Sequence, residues 1–173
     1  DLGRLRRYRT SLPSVIRPDL MALEDGRLVA TELDSVPGGF GALAGLTRAY
    51  HDLGYELVGG NDGIPRGFAA ALQDIAGTED PSVAIVVSSE SADYRSEMEV
   101  LATLLQQSGL RSHQVHPSML RLHDERLQAQ TSDGWLNLDL VYRFFELHDL
   151  PNIPKIDLLI YAVKHRLVSI TAP

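Results

Sequence analysis

Hydrophobic positions along the chain follow two periods. A period near 3.6 residues predicts helices, which cover residues 42–53, 67–75, 92–108 and 156–163. Short apolar or alternating runs predict strands, which cover residues 55–58, 83–87, 112–116, 120–130, 138–142 and 167–170, with a further short strand around Trp135. Strands and helices therefore alternate through the middle of the chain, which is typical of an α/β fold.

The segment Val83–Val87 is apolar without interruption, as in a strand that is covered on both faces of its sheet. A predicted helix that stops at Gly109 and a strand over 112–116 follow it, so this region predicts a parallel, right-handed βαβ unit. The length of 173 residues and the hydrophobic content of 44% suit one domain with a proper core. We therefore expect a single α/β domain over residues 1–173, with a mixed, largely parallel, Rossmann-like sheet and flanking helices.

The candidate chemistry lies in the segment before the first helix. If the Asp-Gly pair at 25–26 forms a two-residue hairpin turn, Arg17 lies opposite Asp34 and Asp19 lies opposite Glu32. All four side chains then share one face of the ribbon, where two opposed carboxylates repel each other. A divalent cation or a cationic ligand between the acids would relieve that repulsion.

Two interpretations of this cluster remain open. A cross-strand ladder of salt bridges at an open sheet edge would explain the residues without any ligand, and Pro18 would be tolerated at such an edge. In the functional interpretation Asp19, Glu32 and Asp34 hold Mg²⁺, because magnesium prefers oxygen ligands. Arg17 then neutralises a phosphate or a developing oxyanion.

Three glycines, Gly38, Gly39 and Gly41, follow the hairpin and precede a helix. Residues 39–44 formally satisfy the dinucleotide pattern G-x-G-x-x-A, but the strand before them carries acids where a buried apolar strand is expected. We interpret the glycines as a substrate or phosphate loop, whose amides at a helix start suit an anion. Arg143 stands among aromatic residues after a strand, and it either reaches the same cleft or pairs with the neighbouring Glu146.

Composition excludes several classes of function. A net charge of −7, with no basic run longer than the cluster at 4–7, argues against a nucleic-acid partner. No apolar run reaches the roughly 18 residues of a membrane span, so we expect no membrane partner. The absence of cysteine excludes thiolate sites and fits a cytoplasmic location. The six histidines show no zinc spacing. The serines of 88–91 follow a central strand at the end where open α/β sheets place ligands, and helix capping explains them equally well.

The order of the motifs resembles that of a known family. The motifs are R-P-D at 17–19, D-G at 25–26, E-L-D at 32–34 and P-G-G at 37–39. Together they resemble the R-x-D, D-G, E-x-N and P succession of the glutathionylspermidine synthetase family, whose members are circularly permuted ATP-grasp ligases. Residues 139–143 and 152–173 also resemble the pre-ATP-grasp portion of these proteins. The resemblance implies a pre-ATP-grasp domain.

The same resemblance implies roles for individual residues. Asp19 and Glu32 would be magnesium ligands, Asp34 would replace the family's asparagine ligand, and Arg17 would stabilise an acyl phosphate or tetrahedral intermediate. ATP would be the co-substrate, and the partners would be carboxylate and amine substrates, either small molecules or peptides. The chain departs from the family in having Asp34 for asparagine and no serine in its P-G-G motif.

The lysines that clamp the nucleotide in this family have no counterpart here and would lie beyond residue 173. The chain also begins without methionine, so we expect it to be part of a longer ATP-grasp protein, inactive without its C-terminal part. Two alternatives remain. One is a non-catalytic module of the same fold that binds a ligand or partner, and the other is a Rossmann-type dinucleotide-binding domain.

Overall fold

A computed structural model describes residue 13 and residues 15–171. The strands are β1 (Arg17–Ala22), β2 (Leu28–Asp34), β3 (Ser82–Val87), β4 (Arg111–Val115), β5 (Leu120–His123), β6 (Arg126–Thr131), β7 (Gly134–Asn137), β8 (Leu140–Phe144) and β9 (Ser169–Ile170). The helices are α1 (Phe40–Asp52), α2 (Gly63–Ala76), α3 (Arg95–Gln107) and α4 (Ile156–Lys164). The predicted mixed α/β fold is confirmed, because a parallel sheet and two antiparallel sheets are both present.

The central sheet is parallel, with the strand order β4-β3-β8-β9. Its middle strand β3 is buried along its whole length, as expected for an uninterrupted apolar run. The chain leaves β3 through α3 to reach β4 on one side, whereas β8 lies on the other side of β3. The strand order therefore reverses between β3 and β8, and open α/β sheets bind ligands at the carboxyl ends of such strands.

Two apolar cores cover the two faces of this sheet. One core joins β3 and β8 to helices α2 and α3, with Leu72 and Leu101 fully buried in it. The other core joins the opposite face of the same strands to α4 and to the antiparallel sheet β5-β6-β7, around Phe145. Alternate residues of β8 therefore face different cores, and Tyr142 belongs to the first core whereas Val141 belongs to the second.

The hairpin β1-β2 forms a separate two-stranded sheet. Its residues are exposed along almost the whole of both strands, and its tip lies away from both cores. Only the chain on either side of it, at Val15 and Val36, packs against the first core. The hairpin is therefore attached to the domain at its base.

Some predicted elements differ from the structure. Residues 55–58 form no strand: Gly59 and Gly60 adopt positive φ angles and turn the chain into α2, and no neighbouring strand pairs with this segment. The predicted strand over 120–130 is broken into β5 and β6, because Asp124 and Glu125 adopt positive φ angles at the turn. The basic cluster at 4–7 lies outside the described residues.

Candidate functional site

The pairing of the hairpin is as predicted at its charged end. Arg17 lies opposite Asp34, and Asp19 lies opposite Glu32. The predicted two-residue turn is wrong, however, because the loop comprises the three residues 24–26, closed by hydrogen bonds between residues 23 and 26 and between residues 23 and 27. The longer loop shifts the pairing near the turn by one residue. A bulge at Thr31 compensates for this shift, so the pairs at the charged end are the expected ones.

Arg17 is the centre of the charged cluster. Its Nε donates to an Asp19 carboxylate oxygen at 3.2 Å, and its Nη2 lies 3.6 Å from Asp34 Oδ2. Its Nη1 donates to the backbone carbonyl of Gly38 at 2.8 Å. The side chain keeps about a third of its surface exposed (33%), so a ligand can reach it. Arg17 thus links both strands of the hairpin to the glycine loop.

The three expected magnesium ligands are not equivalent in this structure. Both oxygens of Asp34 are engaged, since Oδ1 accepts a hydrogen bond from the Val36 backbone at 3.0 Å and Oδ2 pairs with Arg17. Asp19 and Glu32 are directly opposed and exposed. Among the described residues no group of three or more acidic, histidine or cysteine side chains has metal-binding geometry. Asp19 also pairs with Arg17 through Oδ1, and Asp34 does not fit as a third magnesium ligand because both its oxygens are engaged. A magnesium role for Asp19 and Glu32 stays a prediction.

The glycine loop is packed against the start of α3. Gly39 adopts a φ of 93° at the N-cap of α1, and its backbone N–H donates to the carboxylate of Glu97. A Cβ at Gly38 would clash with the ring of Tyr94, and a Cβ at Gly41 would lie 2.5 Å from the Glu97 carbonyl oxygen. Glycine is required at both positions for this packing. Glu97 supplies an anion to the α1 N-terminus, where we expected a ligand.

The loop is positioned above the point where the strand order reverses. The ring of Tyr94 packs on Phe144, the last residue of β8, with ring centroids 5.4 Å apart. The dinucleotide alternative is not favoured here, because the strand before the glycines, β2, pairs only with β1 and lies outside the parallel sheet. The glycine loop and Arg17 therefore lie next to a sheet edge that suits ligands, without the dinucleotide architecture.

Two buried hydroxyls lie near this edge. Ser88 follows β3 and is fully buried, and Tyr142 lies in β8; neither hydroxyl has a hydrogen-bond partner among the described residues. The capping role expected for the serines of 88–91 is wrong, because the following helical turns have no side-chain cap. Burial, and then the negative charge of Asp34, raise the pKa of Tyr142. No local motif marks a tyrosine inside an apolar strand, so the sequence offered no signal for it.

A serine–histidine pair lies at the carboxyl ends of β3 and β4. Ser89 Oγ is 3.1 Å from His116 Nε2. The Ser118 backbone N–H donates to His116 Nδ1 at 3.3 Å, so Nδ1 is an acceptor. In the neutral ring Nε2 then carries the proton and donates it to Ser89. In this tautomer Nε2 is a donor toward Ser89 and has no lone pair to accept the serine proton.

Arg143 lies away from the hairpin cluster. It is 95% buried, with a relative exposure of 5%, and it lines a cavity beside α4 that contains no residue of β1 or β2. The predicted pairing with Glu146 does not form within salt-bridge distance in the described chain, and Arg143 Nη1 donates instead to the Phe145 carbonyl.

Comparison with models of protein families, with curated proteins and with solved structures found no match for this chain. Within residue 13 and residues 15–171, none of the helices combines the length and apolarity needed to cross a bilayer. The site must therefore be interpreted from its own geometry.

Proposed function

We propose that this chain is the pre-ATP-grasp part of an ATP- and Mg²⁺-dependent carboxylate–amine ligase, with the Rossmann-like arrangement of that domain. The single observation that carries the proposal is the pairing of Asp19 with Glu32 beside a guanidinium, Arg17, that reaches the glycine loop at Gly38. In this arrangement two carboxylates that could bind a cation and a guanidinium that could bind an anion lie together, next to a glycine loop whose backbone a ligand can approach closely. The order of the motifs along the chain supports the same assignment.

In the proposed reaction a substrate carboxylate oxygen attacks the γ-phosphorus of ATP, and ADP leaves. The lone pair of an amine then attacks the acyl carbon, a C–N bond forms, and phosphate departs with the bonding electrons. Arg17 would bind the oxyanion of the tetrahedral species, because a guanidinium has five N–H donors and this one is oriented by Asp19 and Asp34. Prior orientation means that the side chain loses little freedom when the anion binds.

Magnesium, when bound, would offset the negative charge of the phosphates. Asp19 and Glu32 would hold it, since magnesium needs only one or two protein carboxylates in addition to phosphate oxygens. Asp34 would position Arg17 and the Val36 backbone through the contacts described above. In this proposal only Asp19 and Glu32 bind magnesium, and Asp34 has a positioning role.

Titration calorimetry of this chain with Mg²⁺ and a non-hydrolysable ATP analogue tests the proposal. We expect Glu32→Gln to weaken magnesium-dependent binding at least tenfold, because it removes one of two charged ligands. Glu24→Gln is the matched control, since it removes the same charge from the exposed loop of the same hairpin. Equal effects of the two variants would contradict the ligand assignment.

A second candidate function is a binding module without catalysis. The hairpin exposes apolar side chains on both strands, and Leu20 and Leu33 keep 54% and 64% of their surface accessible. Exposed apolar surface of this kind marks interaction sites in soluble proteins. Sedimentation equilibrium of the wild type and of a Leu20→Ser, Leu33→Ser variant tests it, and a concentration-dependent mass that the variant abolishes would favour this candidate.

A further inference from the structure

One peptide unit, between Gly38 and Gly39, joins two charged side chains from different parts of the fold. Its carbonyl oxygen accepts a hydrogen bond from Arg17 Nη1 at 2.8 Å. Its N–H donates to a carboxylate oxygen of Glu97. Arg17 lies in β1 and Glu97 lies in α3, so this single peptide connects the exposed hairpin to a helix that covers the central sheet.

Both hydrogen bonds of this peptide have a charged partner, and such bonds are roughly twice as strong as neutral ones. A cation at the carbonyl oxygen makes the N–H a better donor, and an anion at the N–H makes the carbonyl oxygen a better acceptor, so each bond strengthens the other. Gly38 is buried and Glu97 is partly buried, which limits competition from water. The peptide is therefore held in one orientation, with its carbonyl oxygen directed at Arg17.

Helix α1 does not supply this carboxylate itself. In a capping box, a glutamate at the third helical position accepts a hydrogen bond from the N–H of the N-cap residue. Gly39 is the N-cap of α1, the third helical position is Ala42, and the first turn contains no acidic residue. Glu97 supplies the missing acceptor from α3, 58 residues further along the chain. The conformation of the glycine loop therefore depends on a neighbouring helix.

The contact with Gly38 is the shortest of the three that orient the Arg17 guanidinium. The pair with Asp19 is at 3.2 Å, and Asp19 keeps 49% of its side-chain surface exposed, so water competes for this pair. The separation from Asp34 Oδ2 is 3.6 Å, which is too long for a hydrogen bond. The direction of Nη1 therefore depends mainly on the Gly38 carbonyl, and through the peptide on Glu97.

We propose that Glu97 is a positioning residue for Arg17 and acts on it through the Gly38–Gly39 peptide. The anion that Arg17 would bind rests on the proposed function, whereas the coupling of Glu97 to Arg17 rests only on these contacts. A guanidinium that is already oriented loses less freedom when an anion binds. Glu97 thus prepares Arg17 for its ligand without touching that ligand.

Nuclear magnetic resonance of the ligand-free chain tests this coupling. In Glu97→Ala the guanidinium protons of Arg17 should exchange with water about tenfold faster than in the wild type, because their carbonyl acceptor is no longer held in place. Glu97→Gln keeps an acceptor for Gly39 and should restore most of the protection. Glu99→Ala is the matched control, since Glu99 is exposed on the same helix. Unchanged exchange in Glu97→Ala, or an equal increase in Glu99→Ala, would overturn the proposal.

The coupling should also act in the opposite direction. Arg17→Met removes the guanidinium and keeps an apolar side chain of similar length. The amide proton signal of Gly39 should then move to higher field, because the peptide has lost its cation and the bond to Glu97 weakens. Arg27→Met is the matched control, since Arg27 pairs with Asp25 in the exposed loop of the same hairpin. The same Gly39 signal in Arg17→Met and in the wild type would overturn the proposal.

Glu97→Gln keeps the test decisive if Glu97→Ala does not fold. Its neutral acceptor should move the Gly39 amide signal to higher field, and an unchanged signal would overturn the proposal. These measurements need no ligand, so they separate the positioning role from the ligase function. If the ATP analogue does not bind and Glu97→Ala still frees Arg17, the ligase function is wrong and the positioning role is supported. If the analogue binds and Arg17 is unaffected in Glu97→Ala, the positioning role is wrong.

Discussion

Strand β3 and the hairpin β1-β2 are both rich in apolar residues, yet they have opposite environments. Every residue of β3 is buried, because α2, α3, α4 and two neighbouring strands cover it. The hairpin strands pair only with each other, and both remain exposed. An isolated two-stranded ribbon is only marginally stable in water. Apolar content therefore predicts that a strand forms, but the neighbouring elements decide whether it contributes to a core.

The arginines of these two regions differ in the opposite way, because the exposed one has more partners than the buried one. Arg17 of the exposed hairpin has three acceptors within 3.6 Å, whereas the buried Arg143 has a single carbonyl acceptor. Exposed ion pairs contribute little to stability, since water competes for both partners. Burial lowers the pKa of Arg143, and the negative charge of the neighbouring Glu146 opposes that shift. The core therefore also perturbs a charged group, although the sequence motif is in the hairpin.

Ile85→Ala should produce the largest loss of stability. Ile85 is fully buried in the middle of β3, and removing its side chain leaves a cavity between the sheet and α3. We expect the free energy of unfolding to fall by about 3 kcal/mol, measured by urea denaturation. A loss below about 1 kcal/mol would show that this core rearranges to fill the space, and it would remove the difference between β3 and the hairpin.

Gly41→Ala should be the next most damaging change. A Cβ at Gly41 would lie 2.5 Å from the backbone oxygen of Glu97, which cannot move without displacing α3. We expect a loss of about 2 kcal/mol in the free energy of unfolding.

The matched control for this prediction is Gly45→Ala. Gly45 lies in the same helix, and a Cβ there would meet no atom within 4 Å. This change should raise stability by about 0.5 kcal/mol, because alanine favours the helix. Thermal denaturation of both variants distinguishes the two effects, and losses of equal size would mean that the contact with α3 is not the cause.

Tyr142→Phe should have a smaller effect with the opposite sign. The buried hydroxyl has no partner in the described chain, so its removal should leave stability unchanged or raise it by up to about 1 kcal/mol. The pKa of Tyr142 is raised above the ordinary value of 10.0. The folded state therefore prefers the neutral phenol, and its contribution to stability is complete below pH 10 and is lost as the pH rises above it.

Measurement of the melting temperature between neutral and strongly alkaline pH checks this prediction. The wild type should lose stability above pH 10 more steeply than Tyr142→Phe. Parallel curves for the two proteins would show that Tyr142 does not resist ionisation. A large loss of stability in Tyr142→Phe at neutral pH would show that the hydroxyl has a partner in solution.

Leu33→Ala in the hairpin should have the smallest effect. Leu33 keeps 64% of its surface exposed, so the change should alter the free energy of unfolding by less than about 0.5 kcal/mol. Urea denaturation at two protein concentrations is the measurement. A loss comparable to that of Ile85→Ala, or one that depends on concentration, would show that the hairpin is covered in solution.

The sequence predicted several parts of the fold because their causes are local. The uninterrupted run of β3 specifies a doubly covered strand, and helical periodicity together with Gly109 specifies α3 and its end. The Asp-Gly pair at 25–26 between two apolar segments specified the hairpin, and it brought Asp19 and Glu32 together even though the turn was wrong. The strand predicted over residues 55–58 does not form, because a short apolar segment forms a strand only when another strand pairs with it.

The candidate site was predicted only in its hairpin part. Arg17 and the acids were found because cross-strand pairing follows from residue spacing. Glu97 and Tyr94 were missed because they lie on α3 and on the turn before it, more than fifty residues away, and reach the glycine loop only after the elements pack. The ligand roles of Asp19, Glu32 and the glycines stay predictions.

Sequence alone thus determined most of the segments that form strands and helices, and which charges face each other within one hairpin. Both properties depend on near neighbours, through backbone preference and side-chain periodicity. Tertiary structure alone decided that the hairpin is exposed, that Glu97 caps the glycine loop, and that Arg143 lies beside an apolar cavity. Burial and the pairing of distant charges arise only when the layers pack, because they depend on contacts between residues far apart in the chain.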